Sequence, residues 1–102
     1  MNYSIVVPAR NEEGSILALY EATKRIFDRL GGTWELIVID DGSTDSTYKV
    51  MSEISDRDSH VKTIRFRRSF GQTAGWSAGF AAATGDIVIV MDADLQNDPE
   101  DI

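Results

Sequence analysis

Four short apolar runs rich in β-branched residues recur along the chain, at Ser4–Val7, Glu35–Ile39, Val61–Phe66 and Ile87–Met91. Three of them are nearly continuous hydrophobes, the pattern of parallel strands buried on both faces. The segments between them have helical spacing. In the first, Ile16, Leu19, Tyr20, Ile26, Phe27 and Leu30 fall near one face, with Asn11 predicted as N-cap and Gly31–Gly32 as the stop. In the second, Ser43 or Thr44 caps a helix carrying Thr47, Val50, Met51 and Ile54. The third runs from about Phe70 to Ala83 and ends at Thr84–Gly85. This alternation predicts an α/β fold with a parallel sheet. Right-handed crossovers leave few topologies, and the favoured one is a Rossmann-like half with strand order 3-2-1-4. One domain is expected over residues 1–102.

That order has a consequence for ligands. The chain reverses its direction of travel between the first and fourth strands, and open parallel sheets bind ligands outside the strands' carboxyl ends at such a point. Pro8–Glu12 follow the first strand, Asp40–Asp45 the second and Asp92–Gln96 the fourth. The three most polar segments are therefore predicted to converge on one crevice.

Asp92-Ala93-Asp94-Leu95-Gln96 carries the most chemistry. Two carboxylates two residues apart at a strand end point to one side. Without Cys or His beside them they suit a hard cation, Mg²⁺ or Mn²⁺, and Gln96 can add an amide oxygen. Such an ion leaves positions open for a diphosphate. Asp is also common in strand-ending turns, but here the pair closes a series of strand–helix units. In Asp40-Asp41-Gly42-Ser43-Thr44-Asp45, Asp41 is assigned to a nucleobase, and Asp40 to the ribose edge or to a structural bond. Gly42 supplies an unusual backbone angle and Ser43 a cap. In Pro8-Ala9-Arg10-Asn11-Glu12-Glu13, Pro8 is expected to end the strand for want of an N–H. Ala9 leaves room for a flat ring, Arg10 stacks on a base or meets phosphate, and Glu12 either reaches a ribose hydroxyl or complements the helix dipole as a first-turn acid. Glu13 reads as a first-turn acid facing the helix dipole.

Arg65, Arg67 and Arg68 form the dense basic cluster of an acidic chain, suited to phosphate or an acidic lipid head, with Arg67 read as solvated. Gly71 opens the third helix, whose first N–H groups can face the crevice. Gly75 and Gly79 inside that helix imply close packing on the sheet, since glycine there is about 1 kcal/mol worse than alanine. Trp76 and Phe80 read as core or interface, and His60 as a surface residue at a strand start.

Charge excludes some partners. Ten Lys+Arg against seventeen Asp+Glu give a net charge of −7, which argues against nucleic acid. There is no cysteine, so neither a disulfide nor a thiolate metal site can form. The N-terminal residues do not form a secretory signal, and no apolar stretch approaches the ~20 residues that span a bilayer.

The segments VVPARNEE, DDGSTD, RRSFGQTAGWSAGFAAATGD and MDADLQNDPEDI, in this order, resemble family 2 glycosyltransferases with the GT-A fold. They look most like the branch that makes dolichol- or polyprenyl-phosphate sugars. The resemblance covers almost the whole chain. It implies that Pro8, Ala9, Glu12 and Asp41 contact the nucleotide, and that Asp92, Asp94 and Gln96 form the metal and diphosphate site. Ser69 stands where the family usually carries Asn. It further implies an N-terminal part of a longer enzyme at the cytoplasmic face of the membrane. That enzyme would transfer a sugar from a UDP- or GDP-sugar, with inversion, to an acceptor such as polyprenyl phosphate. The acceptor residues and catalytic base would lie in a second half. The piece alone is expected to bind nucleotide weakly, to be inactive, and to self-associate through an exposed edge. The competing expectation is a nucleotide-binding or regulatory module without transfer chemistry. A phosphoacceptor receiver lacks its late-strand Lys, since none follows Lys62, and a dinucleotide oxidoreductase lacks Gly-x-Gly-x-x-Gly after the first strand.

Overall fold

The computed structural model describes residues 2–91. The elements are β1 (Asn2–Ala9), α1 (Ile16–Leu30), β2 (Thr33–Asp41), α2 (Thr47–Arg57), β3 (Val61–Phe66), α3 (Gln72–Ala82) and β4 (Ile87–Val90). All strand pairs are parallel, in the order β3-β2-β1-β4. This is the topology the alternation of apolar runs predicts.

Strand side chains alternate between the two faces, and each face has its own core. On one face Ile5, Val7, Leu36, Val38 and Val61 meet Ile16, Leu19 and Phe27 of α1 and Met51 and Ile54 of α2. On the other, Val6, Ile37 and Ile39 meet Trp76, Ala78 and Ala82 of α3. α3 comes close because two of its residues lack side chains. A Cβ on Gly75 would lie 3.0 Å from Pro8 Cβ, and one on Gly79 would lie 2.2 Å from Val6 Cγ1. Trp76 belongs to this core, whereas Phe80 is exposed.

Several local expectations are corrected. β1 does not stop at Pro8 but runs on to Ala9, with Pro8 in register with Ile39. The last β1–β4 pair is Val6 with Val90, and Val6 O accepts from Met91 N. Bonding direction alternates along a parallel strand, so the donor-less nitrogen of Pro8 points to the β4 side beyond the last pair and leaves the β2 ladder intact. Asn11 does not cap α1. It has a φ of 55°, the chain turns once more through Ser15 N and Ile16 N bonded to Glu12 O, and Ser15 precedes the helix. Ser43 and Thr44 do not cap α2, which starts at Thr47. Asp45 Oδ1 instead accepts from Thr47 N at 2.9 Å. β4 reads as a buried strand, yet Ile87, Val88 and Val90 are exposed, because no described helix covers it and it lies at the sheet edge.

The amino ends of the strands are tied through Glu35. Its Oε2 accepts from Ser4 Oγ at 2.5 Å and Thr84 N at 2.7 Å, and its Oε1 from Lys62 Nζ at 2.5 Å. Burial by itself would raise the Glu35 pKa. The donors from Lys62, Ser4 and Thr84 outweigh it and hold the group at about 2. A cavity of about 280 Å³ lies beside this network, lined in part by Trp34, Glu35, His60, Lys62 and Thr84. Glu35 in its lining is bonded to Lys62 and Thr84, and His60 stacks on Trp34 at 4.3 Å with its Nδ1 2.7 Å from Asp58 Oδ1.

Candidate functional site: the crevice at the carboxyl ends of the strands

Three loops meet at the other end of the sheet. Residues 10–15 follow β1, 42–46 follow β2 and 67–71 follow β3. β4 runs parallel to β1 toward the same end.

The first two loops are bonded to each other. Asn11 N donates to Ser43 Oγ at 2.9 Å, and Asn11 Oδ1 accepts from Thr44 N at 2.8 Å. Glu12 N donates to Thr47 Oγ1 at 2.8 Å, and Ser46 N to Glu13 Oε2 at 3.2 Å. Asn11 thus spends its side chain on a neighbouring loop, and its left-handed backbone aims it there. Glu13 does the same rather than facing its own helix. Sequence reading missed these roles for Asn11, Ser43 and Thr47. The signal that existed was an Asn in one loop and a Ser/Thr run in the next, which can pair only once the strands are adjacent.

Asp40 is 1% exposed. Its Oδ1 accepts from Ser43 N at 3.0 Å, and its Oδ2 lies 3.9 Å from Arg65 Nε. Asp40 thus makes a structural bond to the loop that follows it. Asp41 is 6% exposed and anchors the third loop: Oδ1 accepts from Phe70 N at 2.7 Å, and Oδ2 from Ser69 Oγ at 2.9 Å and Gly71 N at 3.1 Å. A Ser69 hydroxyl at the family's Asn position is therefore a donor to Asp41. The loop also lies directly on Gly42, whose φ is +71° and on which a Cβ would fall 2.4 Å from Ser69 N.

Pro8, Ala9, Arg10, Glu12 and Gly71 lie at the same end. Pro8 and Ala9 finish β1, with Ala9 3% exposed in the α1/α2-side core. Arg10 is exposed, and Glu12 is half-buried with no partner for its carboxylate among the described residues. Gly71 precedes α3 with a φ of +93°, and its N–H is spent on Asp41 rather than left open. Asp92, Asp94 and Gln96 lie outside the described residues. Among the described residues no group of three or more His, Cys, Asp or Glu side chains is placed to hold a metal ion. No described helix is long and apolar enough to cross a membrane.

Residues 4–102 match the sequence model of glycosyl transferase family 2. The chain is 43% identical over 102 residues to an undecaprenyl-phosphate 4-deoxy-4-formamido-L-arabinose transferase of Pectobacterium carotovorum, a match covering 99% of this chain and 31% of that protein. It therefore spans about a third of the length of this relative. Among solved structures, S. aureus TarS 1–349 in complex with UDP superimposes with a TM-score of 0.77 at 26% identity, over 92% of this chain and 28% of that one. Glucosyl-3-phosphoglycerate synthase from Mycobacterium tuberculosis, in complex with Mn²⁺, UDP and glucosyl-3-phosphoglycerate, gives 0.70 at 29% identity, over 90% of this chain and 33% of that one.

Proposed function

The chain belongs to glycosyl transferase family 2, and from that premise we propose that its crevice is the donor half-site of a sugar transferase. The donor is a nucleotide-diphosphate sugar and the acceptor a polyprenyl phosphate, with inversion at the sugar carbon. The transfer takes place at the cytoplasmic face of a membrane. The observation that carries this reading is the joining of the loops after β1, β2 and β3 at one end of the sheet, with Glu12 left unpartnered and Asp41 held in place. The arabinose transferase's name supports the lipid-phosphate acceptor.

Pro8 and Ala9 form the floor against which a base lies flat, Arg10 stacks on it or meets phosphate, and Glu12 binds ribose hydroxyls. Asp41 accepts from the base, and Asp40 keeps its loop in shape. Gly71 shapes the entry to α3 beside the phosphates. The lone pairs of Asp41 favour uridine over guanosine. Of about four acceptor sites on a carboxylate, two on Oδ2 and one on Oδ1 are taken. Uracil offers a single imide N–H, which one remaining site on Oδ1 satisfies. Guanine offers two adjacent donors, N1–H and N2–H, which call for an acceptor on each oxygen.

Asp92, Asp94 and Gln96 supply two carboxylates and an amide oxygen, a hard donor set that fits Mg²⁺ or Mn²⁺. A divalent ion there would neutralise and orient the departing diphosphate. A phosphate acceptor is already anionic, which reduces the need for a general base. The 102-residue chain alone is read as binding nucleotide without turnover, and its exposed β4 edge is where copies of it would meet.

The test is calorimetric titration of the chain with UDP and GDP, with and without Mn²⁺, repeated for Asp92→Ala and Asp94→Ala. The proposal expects UDP to bind more tightly than GDP, with a Mn²⁺-dependent component lost in both variants. Binding that ignores the metal and both aspartates would favour a nucleotide-binding module without transfer chemistry.

A further inference from the structure

The arginine cluster at the carboxyl end of β3 is not used by the donor site. Arg67 and Arg68 are exposed and have no carboxylate within 4.0 Å among the described residues. Arg65 lies 4.5 Å over the Tyr48 ring and 3.9 Å from Asp40, so its charge is partly met. Arg68 sits 5.0 Å over the Phe70 ring, and Phe70 rests edge-on against Phe66 at 5.6 Å. Phe70 is nevertheless 56% exposed. Arg65, Phe66 and Arg67, with Gly42 and Ser43, line an open cavity of about 300 Å³. Arg10 is exposed at the same end of the sheet, on the loop after β1. Four of the ten Lys and Arg residues thus gather at the carboxyl rim of a chain with net charge −7. β3 and β4 are opposite edges of the sheet. Three strand spacings, roughly 14 Å, separate this cluster from the strand that leads to Asp92 and Asp94.

We propose that this rim, centred on Arg67, Arg68 and Phe70, docks on the surface of an anionic phospholipid bilayer, with head-group phosphates at the guanidiniums and the Phe70 ring at the head-group boundary. Each arginine near such a surface contributes about 1 kcal/mol. The two unpaired ones together give roughly thirtyfold preference over a neutral bilayer. The chain's net negative charge opposes this weakly: the nearby carboxylates Asp40 and Asp41 are buried and already engaged by Ser43, Arg65 and the Ser69–Gly71 donors, and at physiological salt those more than about 8 Å from the contact are screened. An aromatic ring beside the basic groups supplies the second, apolar contribution that reversible anchoring needs. A polynucleotide would call for a longer basic track to release counterions, and two free guanidiniums do not provide one. The proposal is independent of the transferase reading, since docking requires no nucleotide.

The experiment is co-sedimentation of the chain, without nucleotide, with vesicles of phosphatidylcholine alone or mixed with phosphatidylglycerol. Binding is expected to the mixed vesicles at least about tenfold more strongly than to the neutral ones, and to weaken as salt is raised. Arg67→Gln with Arg68→Gln should remove most of that preference, whereas Arg67→Lys with Arg68→Lys should keep it. Phe70→Ser should weaken binding while leaving the salt dependence. Lys24→Gln with Arg29→Gln, on α1, should change nothing. Equal binding to both vesicle types would overturn the proposal. So would unchanged binding of the double glutamine variant with its amide spectrum intact, or saturation of the rim by inorganic phosphate with no vesicle binding.

Discussion

Gly79 on α3 faces Val6 on β1 across so small a gap that a Cβ on Gly79 would sit 2.2 Å from Val6 Cγ1 and 3.2 Å from Ile39 Cδ1. Both side chains it would meet are fully buried in the middle of the sheet and have little room to yield. Gly79→Ala should therefore destabilise the chain by about 1–3 kcal/mol, the usual range for overpacking, despite the gain of up to ~1 kcal/mol in helix propensity. Urea midpoints of the two proteins measure this, and a higher midpoint for the variant would show that propensity wins.

Gly42 is constrained by backbone rather than side chains. A Cβ there would meet Ser69 N at 2.4 Å and Arg68 C at 2.5 Å, at a φ of +71°. Neither clash can be relieved by turning a rotamer. Gly42→Ala is expected to lose more stability than Gly79→Ala, at least about 3 kcal/mol. It should also move the amide signals of residues 68–71, and a variant with unshifted amides there would refute this account of the loop.

Asp41 holds that loop through three donors. An Asn side chain could accept on one atom but would turn an N–H toward another donor. Hydrogen bonds to a charged acceptor are worth about 1.5–3 kcal/mol. Asp41→Asn should accordingly cut the exchange protection of the Phe70 and Gly71 amides by about tenfold or more. Protection in β1 and β2 should fall less. Uniform loss across the sheet would mean that Asp41 serves global stability rather than the loop.

Glu35 makes stability depend on acid. Its folded pKa of about 2 lies below the ordinary value of 4.5, so its contribution is fully present above the ordinary value and is lost as pH falls from there through about 2. The size is on the order of 2 kcal/mol once the half-exposed position of its partner Lys62 is allowed for. Chemical denaturation of the chain and of Glu35→Gln between pH 6 and 2 isolates this contribution: the difference between them should shrink as pH falls. A constant difference would assign Glu35 a packing role without a charge component.

The strand order and both helix-covered faces could be read from the chain because apolar periodicity is dictated by burial, and burial is what the sheet enforces. Ile5, Val7, Leu36 and Val38 had no alternative to the core. What escaped was long-range polar bonding. Asn11 looks like a cap in sequence because capping is local, whereas its real partner, Thr44, is 33 residues away. Asp41 looks like a free ligand because the donors Ser69, Phe70 and Gly71 arrive only when the third loop folds onto Gly42. Pro8 looks like a strand end because nothing in the sequence tells which neighbour its missing N–H faces. The close packing of α3 on the sheet was legible, since glycines at 75 and 79 in a helix have few other reasons to be there, but that β1 is the strand it approaches was not.

The central claim is that a sugar nucleotide lies across the loops after β1 and β2. Amide chemical-shift mapping of the isotope-labelled chain, titrated with UDP and Mg²⁺, tests it directly. The account predicts the largest shifts at Ala9, Arg10, Glu12, Asp41 and Gly71, with little change at Trp34, His60 and Thr84 at the opposite end of the sheet. Shifts concentrated around Trp34 and His60, or none at any saturating concentration, would contradict it.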